Sequence, residues 1–187
     1  MSNDPAAPPR TPQQFALLTR GGTLEEFLAV YRPEDATDAE LGPLLLLAAV
    51  GQHDPLLRPE IAGRLLDDGA DPTVIATDGS TTLHVLVGQS RHDFEAEAPI
   101  LRRLLEGGAD LNRMVGRHET PLLTIAQQFR YGDAELAPFY DEFFARPDLD
   151  LRKENARGQS VLELIQKWVR FRAELLARAE AYLAEHE

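Results

Sequence analysis

The sequence predicts an all-α fold: a solenoid of stacked helix-turn-helix units with a capping helix at each end. Three observations lead there. Two landmarks recur at one spacing, the residues between them carry apolar positions at helical spacing, and each helical stretch is bracketed by residues that start and stop helices. The first landmark is Gly69-Ala70-Asp71, echoed by Gly108-Ala109-Asp110 and more faintly by Asp148-Leu149-Asp150. Asp71, Asp110 and Asp150 lie 39 and 40 residues apart. The second landmark is Thr81, Thr120 and Ser160, again 39 and 40 apart. A fixed period of this size marks a repeat array, because one helix pair cannot bury its apolar face alone and neighbouring pairs must stack.

In chain order, residues 1–12 read as a flexible leader rich in Pro and Ala, ahead of a single domain over 13–187. Its units fall at about 13–37, 38–75, 76–114, 115–154 and 155–187. Phe15 to Leu18 and Leu24 to Val30 form the first helix pair. The second unit opens near Pro43 with an apolar run to Val50, and its second helix carries Ile61, Leu65 and Leu66 at helical spacing. Ile100, Leu101, Leu104 and Leu105 do the same one unit later. Thr81, Thr120 and Ser160 stand where helix N-caps are needed, ahead of apolar runs. Pro121 follows at the first helical position, where its missing N–H costs nothing. Gly69 and Gly108 supply the left-handed residue that ends a Leu-rich helix. After Ser160 a helix runs to about Val169 and then bends or continues into a cap, with Trp168, Phe171, Leu175, Leu176, Ala179 and Leu183 on its buried side.

These motifs carry a family resemblance. Thr82-Leu83-His84, Thr120-Pro121-Leu122 and the turn Asn155-x-x-Gly158-x-Ser160 are similar to the opening of an ankyrin repeat, and Leu-Leu followed by Gly-Ala-Asp is similar to its close. The resemblance covers roughly Pro43 to Ile165 well and the two ends loosely. It implies that His84 bonds turn backbone, and that partners are held on the turn tips and first helices. The matching positions are Thr77, Asp78 and Ser80 with Gly88 and Gln89, then Gly116, Arg117 and Glu119 with Gln127 and Gln128. Ala156, Arg157 and Gln159 with Lys167 complete the set. By the same resemblance His118 takes the place of a turn glycine.

The period departs from the usual ~33 residues of that family. The surplus lies between the two helices of each unit, in Gln52 to Pro59, Gln89 to Ala98 and Tyr131 to Pro138. Insertions at one place in every unit map to one face. They predict a ridge of enlarged loops or longer helices carrying His53, Asp54, Arg58, His92, Asp93, Glu95, Glu97, Asp133 and Glu135. Such a ridge is either a customised binding edge or a harmless extension of drifted repeats.

Charge and composition narrow the function. The formal net charge is −12, which disfavours nonspecific nucleic-acid binding and favours a basic partner. It is uneven: Gly21 to Ile75 carries eleven acids and three bases, whereas Arg152 to Arg178 carries seven bases and three acids. No signal peptide or apolar span is apparent, so no membrane association is expected, and the absence of cysteine removes disulfides, thiolate metal sites and a cysteine nucleophile. That reading places the chain in a cytoplasm. No phosphate loop, HExxH or Gly-x-Ser-x-Gly elbow occurs, and the five histidines do not pair at metal-ligand spacing. The expectation is therefore neither enzyme nor cofactor or metal, but a protein-binding scaffold, monomeric when unbound. A specific form is an immunity protein that neutralises a basic toxin; the alternative is an adaptor or regulator of a neighbouring enzyme.

Overall fold

A computed structural model of the chain describes residues 11–116 and 119–186. Among these the secondary structure is helical, with no strand beyond three isolated antiparallel bridges, Ile75 with Thr81, Val115 with Glu119 and Glu154 with Ser160. The chain forms two compact units that divide between Asp71 and Pro72. Residues 1–10 of the expected leader, Arg117, His118 and Glu187 lie outside the described residues, and the last two residues expected in that leader, Thr11 and Pro12, instead begin α1.

The first unit holds α1 (Pro12–Gly21), α2 (Leu24–Val30), a 3-10 turn (Pro33–Ala36), α3 (Leu41–Val50) and α4 (Leu57–Asp67). Thr11 and Thr23 start α1 and α2 by accepting from Gln14 N and Glu26 N, and Pro12 occupies the first turn of α1. Helix α3 is apolar along its whole length because it is enclosed: it packs on α1, α4 and the 3-10 turn. Gly42 lies so close to the Ala36 carbonyl that no side chain fits there. Phe15, Phe27, Tyr31, Leu45, Leu46, Ile61 and Leu65 form the core, with Phe27 stacked on Tyr31 at 4.7 Å. Burial of each such side chain contributes about 1.5–3 kcal/mol. The Tyr31 hydroxyl donates to Asp68 at 2.8 Å, and burial together with that carboxylate pushes its pKa well above the ordinary value.

The second unit contains three pairs, each a short helix followed by a long one. They are α5 (Thr82–Val87) with α6 (Phe94–Glu106), α7 (Pro121–Ala126) with α8 (Asp133–Phe144), and α9 (Val161–Lys167) with α10 (Ala173–His186). Short helices pack on short ones (α5 on α7, α7 on α9) and long on long (α6 on α8, α8 on α10). The core between these layers includes Leu83, Leu86, Leu101, Leu104, Leu122, Ile125, Phe139, Phe143, Ile165 and Leu175. Thr81, Thr120 and Ser160 are N-caps as expected, accepting from His84 N, Leu123 N and Glu163 N. Gly69 and Gly108 adopt φ of +93° and +92° just past α4 and α6, the left-handed stop read from the sequence.

The surplus of each repeat is spent mainly on long second helices of 13, 12 and 14 residues, with first helices of 6, 6 and 7. Pro99 and Pro138 lie inside α6 and α8. A proline has no N–H for the carbonyl four residues earlier, so the carbonyls of Glu95 and Ala134 lose their helical partner at exposed positions.

One expectation is corrected at the C-terminal end. Helix α9 stops at Lys167, and Trp168 to Arg172 form a loop before α10. Leu175, Ala179 and Tyr182 are buried, whereas Trp168, Leu176 and Leu183 are half-buried and Phe171 is exposed. The bend at the loop turns Phe171 away from the side that α10 buries.

Candidate functional site

The tips that precede the short helices are built by the main chain. In the first, Ala76 N donates to Ser80 O at 2.8 Å and Gly79 N to Ala76 O at 2.9 Å. In the third, Asn155 N donates to Gln159 O and Gly158 N to Asn155 O, both at 2.9 Å. Val115 N to Glu119 O, at 2.9 Å, closes the second. The Asp78 carboxylate accepts from Ser80 N at 2.9 Å; the Ser80 N–H, then its hydroxyl, hold the Asp78 pKa below the ordinary value. Asn155 plays the equivalent part, accepting from Arg157 N at 2.8 Å and Gln159 N at 3.1 Å.

Successive tips are linked. His84 Nδ1 accepts from Thr81 N at 3.3 Å, so Nε2 carries the proton and donates to Glu119 O in the next tip at 3.3 Å. This is the backbone-bonding role the resemblance implies. Burial, opposed by that carbonyl, lowers the His84 pKa from the ordinary 6.5. Arg113 Nε donates back to Gly79 O at 2.8 Å.

The candidate contact residues separate into two groups. Thr77, Asp78, Gly88, Gly116, Ala156, Arg157 and Lys167 are exposed, and Ser80 and Gln159 are half-buried. Gln159 and Lys167 border one open groove of about 410 Å³ with Gly158, Glu163 and Gln166. The remaining candidates are engaged with their own neighbours. Gln127 donates to Glu119 at 3.0 Å, and Gln89 folds back to Val85 O at 2.7 Å. Gln128 donates to Val87 O at 2.6 Å and Gln89 O at 2.8 Å. Arg117 and His118 fall outside the described residues.

Gln128 belongs to a pattern at the other edge, where short helices hand over to long ones. In the first unit Gln52, from the α3–α4 loop, donates to Thr19 O at 2.9 Å and Gly22 O at 3.1 Å in the α1–α2 loop region. Arg58 in turn clamps the Gln52 carbonyl through Nε and Nη2 at 2.9 and 2.8 Å. In the second unit Gln128 bonds the preceding loop, and Arg172 donates to Ala126 O at 2.6 Å and Tyr131 O at 3.0 Å. His92, its side chain wholly buried, holds the buried Glu97 at 2.8 Å and stacks on Phe94 at 4.8 Å. Of the residues expected on an exposed ridge, Arg58, His92 and Glu97 therefore point inward, and Asp133 caps α10 by accepting from Glu174 N at 2.9 Å.

Among the described residues no three His, Asp or Glu side chains gather as metal ligands, and no helix is long and apolar enough to cross a membrane. Sequence reasoning missed an aromatic group on the loop edge: Phe129 lies 6.1 Å from Trp168 and 5.5 Å from Phe171, ring centre to ring centre. The available signal was the presence of these rings in the stretches between helices, beside Arg130, Lys167 and Arg170.

The sequence matches no protein-family model and no curated protein. Among solved structures it is similar to the crystal structure of a functionally unknown protein from Leptotrichia buccalis C-1013-b. The TM-score is 0.71 at 21% identity, covering 92% of this chain and 93% of that one. At that identity the similarity concerns the fold.

Proposed function

We propose that the chain is an ankyrin-type scaffold that binds another protein on its tips and short helices rather than transforming a substrate. The observation that carries this reading is the open groove of about 410 Å³ that Gln159 and Lys167 both border. Both were singled out as contact positions, and both border an accessible polar surface next to a tip whose shape lies in its main chain. A scaffold of this kind presents variable side chains from a fixed backbone, which is what recognition of a folded partner requires.

The acidic run from Gly21 to Ile75, eleven acids against three bases, supports a basic partner approached by electrostatic attraction. The specific form we favour is a cytoplasmic immunity protein that occupies a basic toxin. The test is affinity capture from the native cell at low and moderate salt, with mass spectrometry, using the full chain and Ala156→Arg/Gln159→Arg in parallel. One stoichiometric basic partner, weakened by salt and lost from the variant, is the expected result. A housekeeping enzyme or chaperone lost from the variant would replace the toxin with an adaptor role. Identical recoveries from both proteins would remove the tip face from consideration.

A further inference from the structure

The loop edge of α7 to α10 groups its exposed apolar side chains, whereas Ile75, also exposed in the second unit, stands at a tip. Phe129, Val169 and Phe171 are 50%, 46% and 60% exposed, and Phe129 is the shared ring, in contact with both the half-buried Trp168 and Phe171. The group is held in place from beneath. The Arg172 guanidinium lies 5.3 Å from the centre of the Phe129 ring, and its backbone acceptors at Ala126 and Tyr131 fix it there. Contiguous exposed rings on a firm support mark an interaction surface.

The charges around the rings identify what fits. Arg130 and Arg170 lie in the two loops that form the cluster and Lys167 ends α9; all three are exposed, and Arg130 also donates to Ser90 O. Residues 127–132 and 167–172 hold four bases and no carboxylate, whereas the carboxylates of the adjoining helices keep their charge and bond to groups at or within those helices. Asp133 accepts from Tyr140 and Glu174 N, Glu135 from Gly132 N, Glu163 from Ser160 N, and Glu174 from Arg178. The edge is thus locally basic and aromatic in a chain of net charge −12. An extended polyanion would meet that whole unfavourable field. A short acidic segment senses only charges within roughly 8 Å at physiological salt, where the local sign is positive.

We propose that this edge docks an acidic segment of another protein, one that inserts a bulky apolar side chain among Phe129, Trp168 and Phe171. Arg130, Lys167 and Arg170 hold the flanking carboxylates. The inference is separate from the tip reading: the two surfaces lie at opposite ends of the short helices and share only Lys167, at the end of α9.

Trp168 is the sole tryptophan, so its fluorescence reports on this surface directly. The full chain is titrated with a synthetic peptide of alternating Glu and Leu. Matched peptides of Glu and Ser and of Lys and Leu, oligothymidine, phosphatidylglycerol vesicles and the chain itself at rising concentration complete the series. The expected result is a saturable blue shift with the Glu-Leu peptide alone, weakened by salt. Affinity should fall about tenfold or more in Arg130→Glu/Arg170→Glu, and similarly in Phe171→Ala, with far-UV circular dichroism unchanged. No saturable shift with the Glu-Leu peptide would overturn the proposal. So would an equal shift with the Lys-Leu peptide, or a shift produced only by vesicles, oligothymidine or self-association.

Discussion

The two edges of the second unit are built by different chemistry. At the tips, main-chain hydrogen bonds, N-cap hydroxyls and positive-φ glycines that span a handful of residues set the local shape, and His84 and Arg113 add links from one tip to the next. At the loops, buried Arg172 and half-buried Gln128 reach backbone carbonyls 39 to 46 residues earlier. The difference teaches where each edge tolerates change. A tip keeps its shape when its exposed side chains are exchanged. A loop cannot lose one buried donor without stranding the carbonyls it served.

The sharpest way to break this contrast is Arg172→Leu. It strands Ala126 O and Tyr131 O and removes the cation facing Asp133 at 3.6 Å. Losing a buried charged partner costs about 3–5 kcal/mol, read as a lower urea midpoint. A loss near 0.5 kcal/mol, as at an ordinary surface position, would mean that the loop edge is not held by this donor. Next comes a pair of adjacent glutamines. Gln128→Leu should cost about 2 kcal/mol because two carbonyls lose their donor, whereas Gln127→Leu should cost about 0.5 kcal/mol or less. Equal thermal shifts for the two would erase the distinction between the edges.

On the tip edge, Thr120→Ala removes the hydroxyl that accepts from Leu123 N, for about 1 kcal/mol, and Thr120→Ser should recover most of it. Failure of serine to rescue would assign the loss to the methyl group instead. The smallest effect is expected from pH. Burial lowers the folded His84 pKa below 6.5, so the unfolded chain takes up a proton first as pH falls. Stability therefore rises with pH across the window from the lowered value to 6.5 and is lost on acidification. The melting temperature of the native chain should decline through that window more steeply than that of His84→Asn. Parallel profiles would show that His84 does not drive the decline.

The same contrast explains what the sequence makes legible. Helix starts at Thr81, Thr120 and Ser160 and the stops at Gly69 and Gly108 are local signals, and the structure has them where they were read. The staples are not local, and they use a different residue type each time: Gln52, Gln128, Arg172. In a sequence such residues look like ordinary loop polarity, so Gln128 reads as a contact residue although its amide is committed inward. Arg58, His92 and Glu97 read as an exposed ridge for the same reason. Gln159 and Lys167 are singled out by fixed offsets within the repeat, and the structure places both at the border of one groove. The aromatic group is not singled out, because Phe129 and Phe171 meet only through the stacking of α7 on α9.

Pro99 and Pro138 give the long helices a seam. Each proline leaves one carbonyl without its helical amide, so the opening turns of α6 and α8 are joined to the rest by one bond fewer. Those turns should breathe independently, exchanging their amide hydrogens with solvent faster than the helical body beyond the seam. The neighbouring loops then act as latches on segments the helices themselves hold loosely. Side-chain contacts at Asp93 and Asp133 therefore govern how often the N-terminal ends of α6 and α8 fray.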